Sequence, residues 1–430
     1  MSHRSSRWNG TRILLVVLVL GIAIAELIAI YGVLPGRASA TFTGIQPDSV
    51  TYICQGTRFS TLSVQEAAQA TGSLFQRFGY PPHACVEQAS VMPWQVNARP
   101  LLPGMIAAAV DIWASSWALL IPSMLVFLGL TLLWLRIIAP ADQRPGLMAW
   151  VLAIAPFAAI TMILWPASVL TEGPVLVLSL LAVMILAATS MEPDAKAPGR
   201  RRMSGLAFAA LIIIGLTLLL TRQSWPIVGA FWCAALIILG RARFARDPGE
   251  DSSPPMHAQV RGITIALISL ILGYGVAILT ALILEWWLVP AGLKEQQQYV
   301  PEGLVIGQLP AVIWASITST TNDIIIAVSR ADVVSPLLLL GGIAALVLLI
   351  RRRAWILTFV CSIAWVFGFY SVGLVQVFDN ASRTHLRFLV PATLMTIAAL
   401  VLARRQDHAI HASPPMATDV ERNGKDSPTH

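Results

Sequence analysis

Residues 13–34 read ILLVVLVLGIAIAELIAIYGVL, an apolar run with a single charged residue, Glu26. About 20 such residues are enough for an α-helix to cross the hydrocarbon core of a bilayer. The rest of the chain has the same character: 56% of its 430 residues are hydrophobic, 12% are charged, and its mean hydropathy is +0.72. A soluble protein of this size cannot bury so much apolar surface in one core, so we predict a polytopic membrane protein.

Further apolar segments of suitable length follow the first one along the chain. We predict an all-α, polytopic membrane helical bundle of about ten transmembrane helices, some of them short or tilted. The predicted spans are 13–33, 105–138, 147–164, 168–190, 205–221, 224–240, 262–289, 336–350, 355–377 and 388–403.

The basic residues are distributed asymmetrically over the predicted loops. Most of the 29 Lys and Arg residues precede the first span or follow the second, fourth, sixth, eighth and tenth spans. Positive residues mark the cytoplasmic side, so we predict a multi-pass plasma-membrane protein with both termini in the cytoplasm. The net charge of +7 then reflects orientation and attraction to anionic lipids, and it is poor support for nucleic-acid binding.

Two segments have alternative interpretations. Residues 38–40 (Ala-Ser-Ala) fit a signal-peptide cleavage site, but the preceding apolar run is longer than a usual signal-peptide core and contains Glu26. We therefore predict that the first helix is retained.

Residues 304–329 are apolar enough for part of a crossing but contain Asn322 and Asp323, so we predict an external amphipathic or re-entrant segment there.

The predicted organisation leaves little protein outside the membrane. The membrane domain covers 1–403, with external loops at 35–104 and 290–335, and a disordered cytoplasmic tail covers 404–430. The cytoplasmic connections are short and polar. An active site therefore has room only at the extracytoplasmic face.

The cysteines divide between the first external loop and the spans. Cys54 and Cys85 lie in that loop, whereas Cys233 and Cys361 lie within predicted spans. We predict a disulfide between Cys54 and Cys85, which requires an oxidising compartment; two unpaired thiols are the alternative. Metal binding by this pair is not indicated, because CxxC spacing is absent and His83 is the only histidine in the loop.

Three carboxylates at the predicted outer face are candidates for chemistry. Asp48 follows the first span and could act as a general base or a metal ligand; the alternative is an ordinary helix N-cap. Glu87 is a weaker candidate in the same loop. Glu172 lies at the outer mouth of the fourth span, where acidic side chains are costly and often functional.

Four cationic candidates lie on the face that the positive-inside rule leaves poor in arginine. Arg222 lies in a tight turn between the fifth and sixth spans, and Arg383, His385 and Arg387 precede the last span. Arginine binds phosphate through its planar fork, so a lipid phosphate is the natural partner. Pairing with Asp379 and with ordinary phospholipids is the alternative.

The chain resembles the membrane-embedded GT-C superfamily of glycosyltransferases, in particular dolichyl-phosphate-mannose mannosyltransferase-like members. The likeness is carried in order by QPDSVTYI at 46–53, RPLLPGMIAAA at 99–109, LTEGPVLVLSLLA at 170–182, GLTLLLTRQSWP at 215–226 and RTHLRFLVP at 383–391. Two features depart from the family: Asp48 has no adjacent acidic partner, and the external C-terminal domain of some members is missing.

The resemblance implies transfer of a sugar from a polyprenyl-phosphate donor to a glycan, lipid or protein acceptor on the extracytoplasmic face. Asp48 would then be the catalytic base, and Arg222 with the Arg383–Arg387 cluster would bind the donor phosphate. A divalent metal ion is the one cofactor that the resemblance raises, and the departures leave its use open.

Other readings of the sequence remain. A lipid-linked glycan polymerase or ligase would usually have its large external loop late in the chain, whereas here it comes first. A transporter or flippase would need polar residues near the bilayer midplane, and no repeat between the two halves is obvious. An inactive GT-C-like scaffold is the fourth reading. Walker A, HExxH, GxSxG and dinucleotide-binding glycine patterns are absent.

Overall fold

The regular secondary structure is helical throughout the residues that the computed structural model describes, namely 10–31, 45, 47–85, 100–113, 115–140, 145–159, 166–168, 170–190, 198–221, 225–244, 309–379 and 386–412. The helices, numbered in chain order, are α1 (Gly10–Ile30), α2 (Pro47–Phe59), α3 (Val64–Arg77), α4 (Leu101–Ile112), α5 (Ile121–Ile138), α6 (Leu147–Ala158), α7 (Glu172–Ser190), α8 (Pro198–Thr221), α9 (Trp225–Phe244), α10 (Leu309–Ser329), α11 (Val334–Arg351), α12 (Trp355–Asp379) and α13 (Val390–Ala412). Short 3-10 turns lie at Ser116–Leu119 and Leu386–Phe388.

The predicted helical membrane bundle is confirmed. Within the described ranges, seven helices are long and apolar enough to cross a membrane: α1, α5, α7, α10, α11, α12 and α13. Helices α4 and α6 and the apolar parts of α8 and α9 are shorter. The predicted span 262–289 lies outside the described residues, so the count of about ten stays a prediction.

Helix α13 lies at the centre of the bundle and α1 at its edge. In α13, 78% of the apolar stretch Leu386–Arg405 is buried, and the helix packs against α5, α7, α11 and α12. In α1 the buried share is only 28%, and the apolar side chains of Leu14 and Val17 are exposed. Exposed apolar side chains on a spanning helix face lipid, because nothing else in a bilayer would cover them.

The prediction of a single span over 105–138 is wrong. The chain forms α4, a 3-10 turn and α5 there, because Trp113 adopts an extended conformation that ends α4. Ser115 then caps the turn by accepting a hydrogen bond from the backbone N–H of Trp117 at 3.3 Å, and Pro122 lies in the first turn of α5, where proline is well tolerated.

The predicted disordered tail begins too early. Helix α13 continues to Ala412, so 404–412 are helical, and 413–430 lie outside the described residues. Arg404 and Arg405 have high helix propensity, and they extend a helix already nucleated within the bundle.

Residues 309–329, part of the segment predicted to be external and amphipathic or re-entrant, form the unbroken helix α10. Its length and composition alone would permit a crossing. Its buried face contacts α12 and the 3-10 turn that precedes α13. The Ser316 hydroxyl donates to the carbonyl of Phe369 at 2.7 Å, and the Asp323 carboxylate accepts from the N–H of Leu386 at 3.1 Å.

Helix α10 runs antiparallel along α12, since Val312 lies against Gly373 and Ser316, four residues later, bonds to Phe369. The predicted external loop 290–335 is therefore helical over 309–329, and its external or re-entrant placement stays a prediction.

Candidate functional site

Asp48 lies in the first turn of α2, a helix that begins at Pro47. Proline is favoured at the first helical position, and a carboxylate in the first turn is stabilised by the helix dipole. Asp48 is therefore the second residue of the helix and not the N-cap weighed above, although it does lie at a helix start. The side chain of Asp48 lies outside the described residues, so its role as a base stays a prediction.

Helix α2 is buried although much of it is polar. Its central residues are covered on all sides, and the polar ones among them are Ser49, Thr51, Gln55 and Thr57. Buried hydroxyls need hydrogen-bond partners, and Thr57 satisfies this by donating to the carbonyl of Cys54 at 2.9 Å. The segment carrying Asp48 is thus part of the protein interior rather than a solvent-exposed loop.

Two tertiary links hold the segment around α2 in place. The predicted disulfide is confirmed: Cys54 in the middle of α2 is bonded to Cys85, and their Cα atoms are 5.1 Å apart. The hydroxyl of Tyr80 donates to the carbonyl of Ile45 at 3.3 Å, just before α2. Together they fix both the body of the helix and the chain that leads into it.

A close approach between α2 and α4 completes this packing and gives a stability prediction. A Cβ at Gly56 would lie 2.5 Å from Cγ2 of Ile106 and 3.2 Å from the carbonyl oxygen of Pro103. Gly56→Ala should therefore lower the free energy of unfolding by about 1–3 kcal/mol through overpacking. Gly104→Ala is the control, because no atom lies within 4 Å of the Cβ position there. Equal thermal midpoints for the two purified variants would contradict this account.

Glu172 is the first residue of α7 and is 5% exposed. The preceding loop packs tightly on this helix start, since a Cβ at Gly173 would lie 2.7 Å from the carbonyl oxygen of Pro166. The hydroxyl of Tyr31, at the end of α1, donates to the carbonyl of Ala167 at 2.7 Å. The helix dipole stabilises a buried acid at this position, and a chemical role for Glu172 stays a prediction.

Arg387 lies in the 3-10 turn that leads into α13 and is partly buried. Its guanidinium carbon lies 4.8 Å from the centroid of the Phe388 ring, a cation–π distance. Leu386 begins the apolar stretch of α13, and the carbonyl oxygen of Phe388 in the same turn packs against Gly368 of α12. A guanidinium is a strong binding group for a phosphate that comes within its reach.

Asp323 is a buried acid to which the sequence interpretation assigns no role. The sequence interpretation uses it only as an argument against a crossing, whereas its carboxylate is 2% exposed and accepts the backbone N–H of Leu386. The available signal was a carboxylate within an apolar segment. Its partner lies 63 residues away, and no local pattern identifies it.

Several predicted residues lie outside the described part of the chain: Glu87, Arg222, Arg383 and His385. Their convergence with Arg387 on one phosphate stays a prediction. Among the described side chains, no group of three or more His, Cys, Asp or Glu residues is placed to hold a metal ion. The side chains of Asp48 and Glu87 are not among the described ones, so metal binding by these two residues stays a prediction.

Comparison with protein-family models, with curated proteins and with solved structures finds no match for this chain. The resemblance to the GT-C superfamily rests on the five sequence segments alone.

Proposed function

We propose that this protein is a membrane-embedded glycosyltransferase that moves a sugar from a polyprenyl-phosphate donor to an acceptor on the extracytoplasmic face. The observation that carries the proposal is the turn of Arg387. It holds a partly buried guanidinium against Phe388, in a turn whose Leu386 N–H is bonded to the buried Asp323 and which begins the apolar stretch of α13. A phosphate on a lipid tail is the ligand whose charge fits such a group.

The proposed reaction needs a base for the acceptor proton and cations for the leaving phosphate. Asp48 takes the proton from the acceptor hydroxyl as its oxygen forms a bond to the anomeric carbon. The bond from that carbon to the phosphate oxygen breaks, with inversion, and the phosphate leaves with the electron pair. Arg387, together with Arg222, Arg383 and His385, stabilises the charge that builds on the phosphate, which is electrostatic catalysis of the leaving group.

The disulfide supports the assignment of the active face. A bond between Cys54 and Cys85 requires an oxidising compartment, which for a plasma-membrane protein is the extracytoplasmic side. The buried helix α2 belongs to this disulfide-bonded segment, which supports the proposal that Asp48 faces the side where a lipid-linked sugar and its acceptor would meet.

Transfer of radiolabelled sugar from polyprenyl-phosphate donors tests the proposal. Arg387→Ala should raise the KM for the donor about 10- to 100-fold, since a hydrogen bond to a charged group contributes about 1.5–3 kcal/mol. Arg387→Lys keeps the charge but loses the fork, and should fall between wild type and alanine. Arg330→Ala removes an exposed arginine at the end of α10 and serves as the control, with a change of less than about twofold.

A transporter or flippase is the second candidate, and the polar inner face of α10 favours it. Ser316, Ser319, Thr320 and Asp323 of this helix are all buried. Folded wild-type protein that transfers no sugar from a broad donor panel, but moves a labelled lipid phosphate across vesicles, would replace the enzyme proposal with this one.

A further inference from the structure

Helix α10 has the reverse of the pattern expected for a helix in water. One face is buried and largely polar, and comprises Val312, Ser316, Ser319, Thr320, Asp323 and Ala327. The opposite face exposes large apolar side chains, namely Ile313, Trp314, Ile317, Ile325 and Val328. A helix with this arrangement has lipid on its outer side and directs its hydrogen-bonding groups into the protein.

The inner face of α10 is fastened to α12 at close range. The hydroxyl of Ser316 donates to the carbonyl of Phe369 at 2.7 Å. One turn further along α12, Gly373 lies directly against the carbonyl of Val312, with no space for a side chain. Helix α10 is thereby fixed along α12, and its Asp323 meets the turn that follows α12 in the chain.

The turn Leu386–Phe388 is held from two sides. The first N–H groups of a helical turn find no acceptor within the turn. The N–H of Leu386 is one of them, and it donates to the carboxylate of Asp323 at 3.1 Å. On the other side, a Cβ at Gly368 would lie 2.8 Å from the carbonyl oxygen of Phe388. Arg387 lies between these two anchored backbone groups, so the position of its Cα is set by α10 and α12.

We infer that Asp323 is a positioning residue for the phosphate site: through the N–H of Leu386 it holds the Arg387 turn in place. Burying a carboxylate in an apolar helix is unfavourable unless it is hydrogen-bonded, and a charge-assisted bond to a backbone N–H is a strong one. This inference rests on the proposed function for its phosphate ligand. The fixed position of the turn itself depends only on the Asp323–Leu386 bond and the Gly368–Phe388 contact.

Hydrogen exchange of the backbone amides around Leu386, measured by mass spectrometry on purified full-length protein, tests the hold directly. Asp323→Ala should speed exchange in the 386–389 peptide about tenfold or more, because the amide loses its acceptor. Asp323→Asn should restore much of the protection, since an amide oxygen still accepts an N–H. If Asp323→Ala aggregates, Asp323→Leu, which is closer in size and also offers no acceptor, replaces it with the same expected acceleration.

Asp332→Ala is the matched control. Asp332 is also a buried carboxylate, at the joint between α10 and α11, but it bonds locally to the N–H and hydroxyl of Ser335 at 3.1 and 2.7 Å. Its loss should leave exchange at 386–389 within about twofold of wild type. Unchanged exchange in Asp323→Ala, or equal acceleration in both variants, would overturn the inference.

The affinity for farnesyl phosphate, a short polyprenyl phosphate, tests whether the Asp323–Leu386 hydrogen bond matters for ligand binding. Asp323→Ala should weaken its affinity about tenfold, and Asp332→Ala less than twofold. Faster exchange with unchanged affinity, where Arg387→Ala does weaken binding, would leave Asp323 a purely structural role and overturn the inference. Absence of binding by wild type would instead overturn the proposed donor site, while the exchange result would still decide whether Asp323 holds the turn.

Discussion

Asp48→Asn is expected to lower sugar transfer about 10²- to 10⁴-fold, the contribution of a general base. Asparagine has nearly the same size and remains compatible with the first turn of α2, so the fold should persist. The loss should appear in kcat, because the acceptor proton is removed in the transition state, with little change in donor KM. Initial rates with radiolabelled donor, at saturating acceptor, measure both constants.

Asp111→Asn provides the control for charge removal near the same helices. Asp111, in α4, accepts from the N–H and hydroxyl of Thr61 at 2.7 and 2.8 Å. An asparagine oxygen can keep the bond to the N–H, so activity should stay within a few-fold of wild type. Full turnover by Asp48→Asn would remove it as the base and leave Glu172 as the next carboxylate to test.

The membrane helices are largely readable from the sequence, and the breaks between them are not. Apolar length is a strong local signal because a bilayer demands it, and the predicted spans at the two ends of the chain match α1 and α13 closely. The break at Trp113 is not evident from apolar length, because only Asp111, Ser115 and Ser116 interrupt a long apolar stretch there. Its cause is a backbone conformation supported by the cap at Ser115, which hydropathy does not register.

Helix α10 shows why the candidate site was only partly predicted. Its sequence places Ser316, Thr320 and Asp323 on one face at helical spacing, but the sequence does not say which face is buried. In water the polar face would be outside, whereas here the apolar face is exposed. The cluster around Arg387 was identified from its own residues, but the partner that fixes it comes from a distant helix. Residue type thus predicted Arg387 as a cationic candidate, and only the tertiary structure showed that Asp323 is bonded to the adjacent Leu386.

The disulfide was predictable because only two cysteines fall in the first external loop. What the sequence did not show is the place of Cys54, 1% exposed in the middle of the buried helix α2. The bond therefore connects the helix that carries Asp48 to Cys85, 31 residues further along the chain. Its loss should affect both the stability of this segment and the chemistry proposed for Asp48.

Replacing Cys54 and Cys85 together by serine should lower the stability of the external segment by about 3–4 kcal/mol, because the 31-residue separation closes a long loop in the unfolded chain. The α2–α3 region should become sensitive to protease, and transfer should fall as Asp48 loses its fixed position. Replacing Cys233 and Cys361, buried thiols outside the disulfide, tests whether thiol loss alone matters and should leave protease resistance intact. The measurement is limited proteolysis with and without reductant. Equal resistance of the double-serine variant and wild type would show that the contacts of Gly56 and Tyr80 hold α2 without the covalent bond.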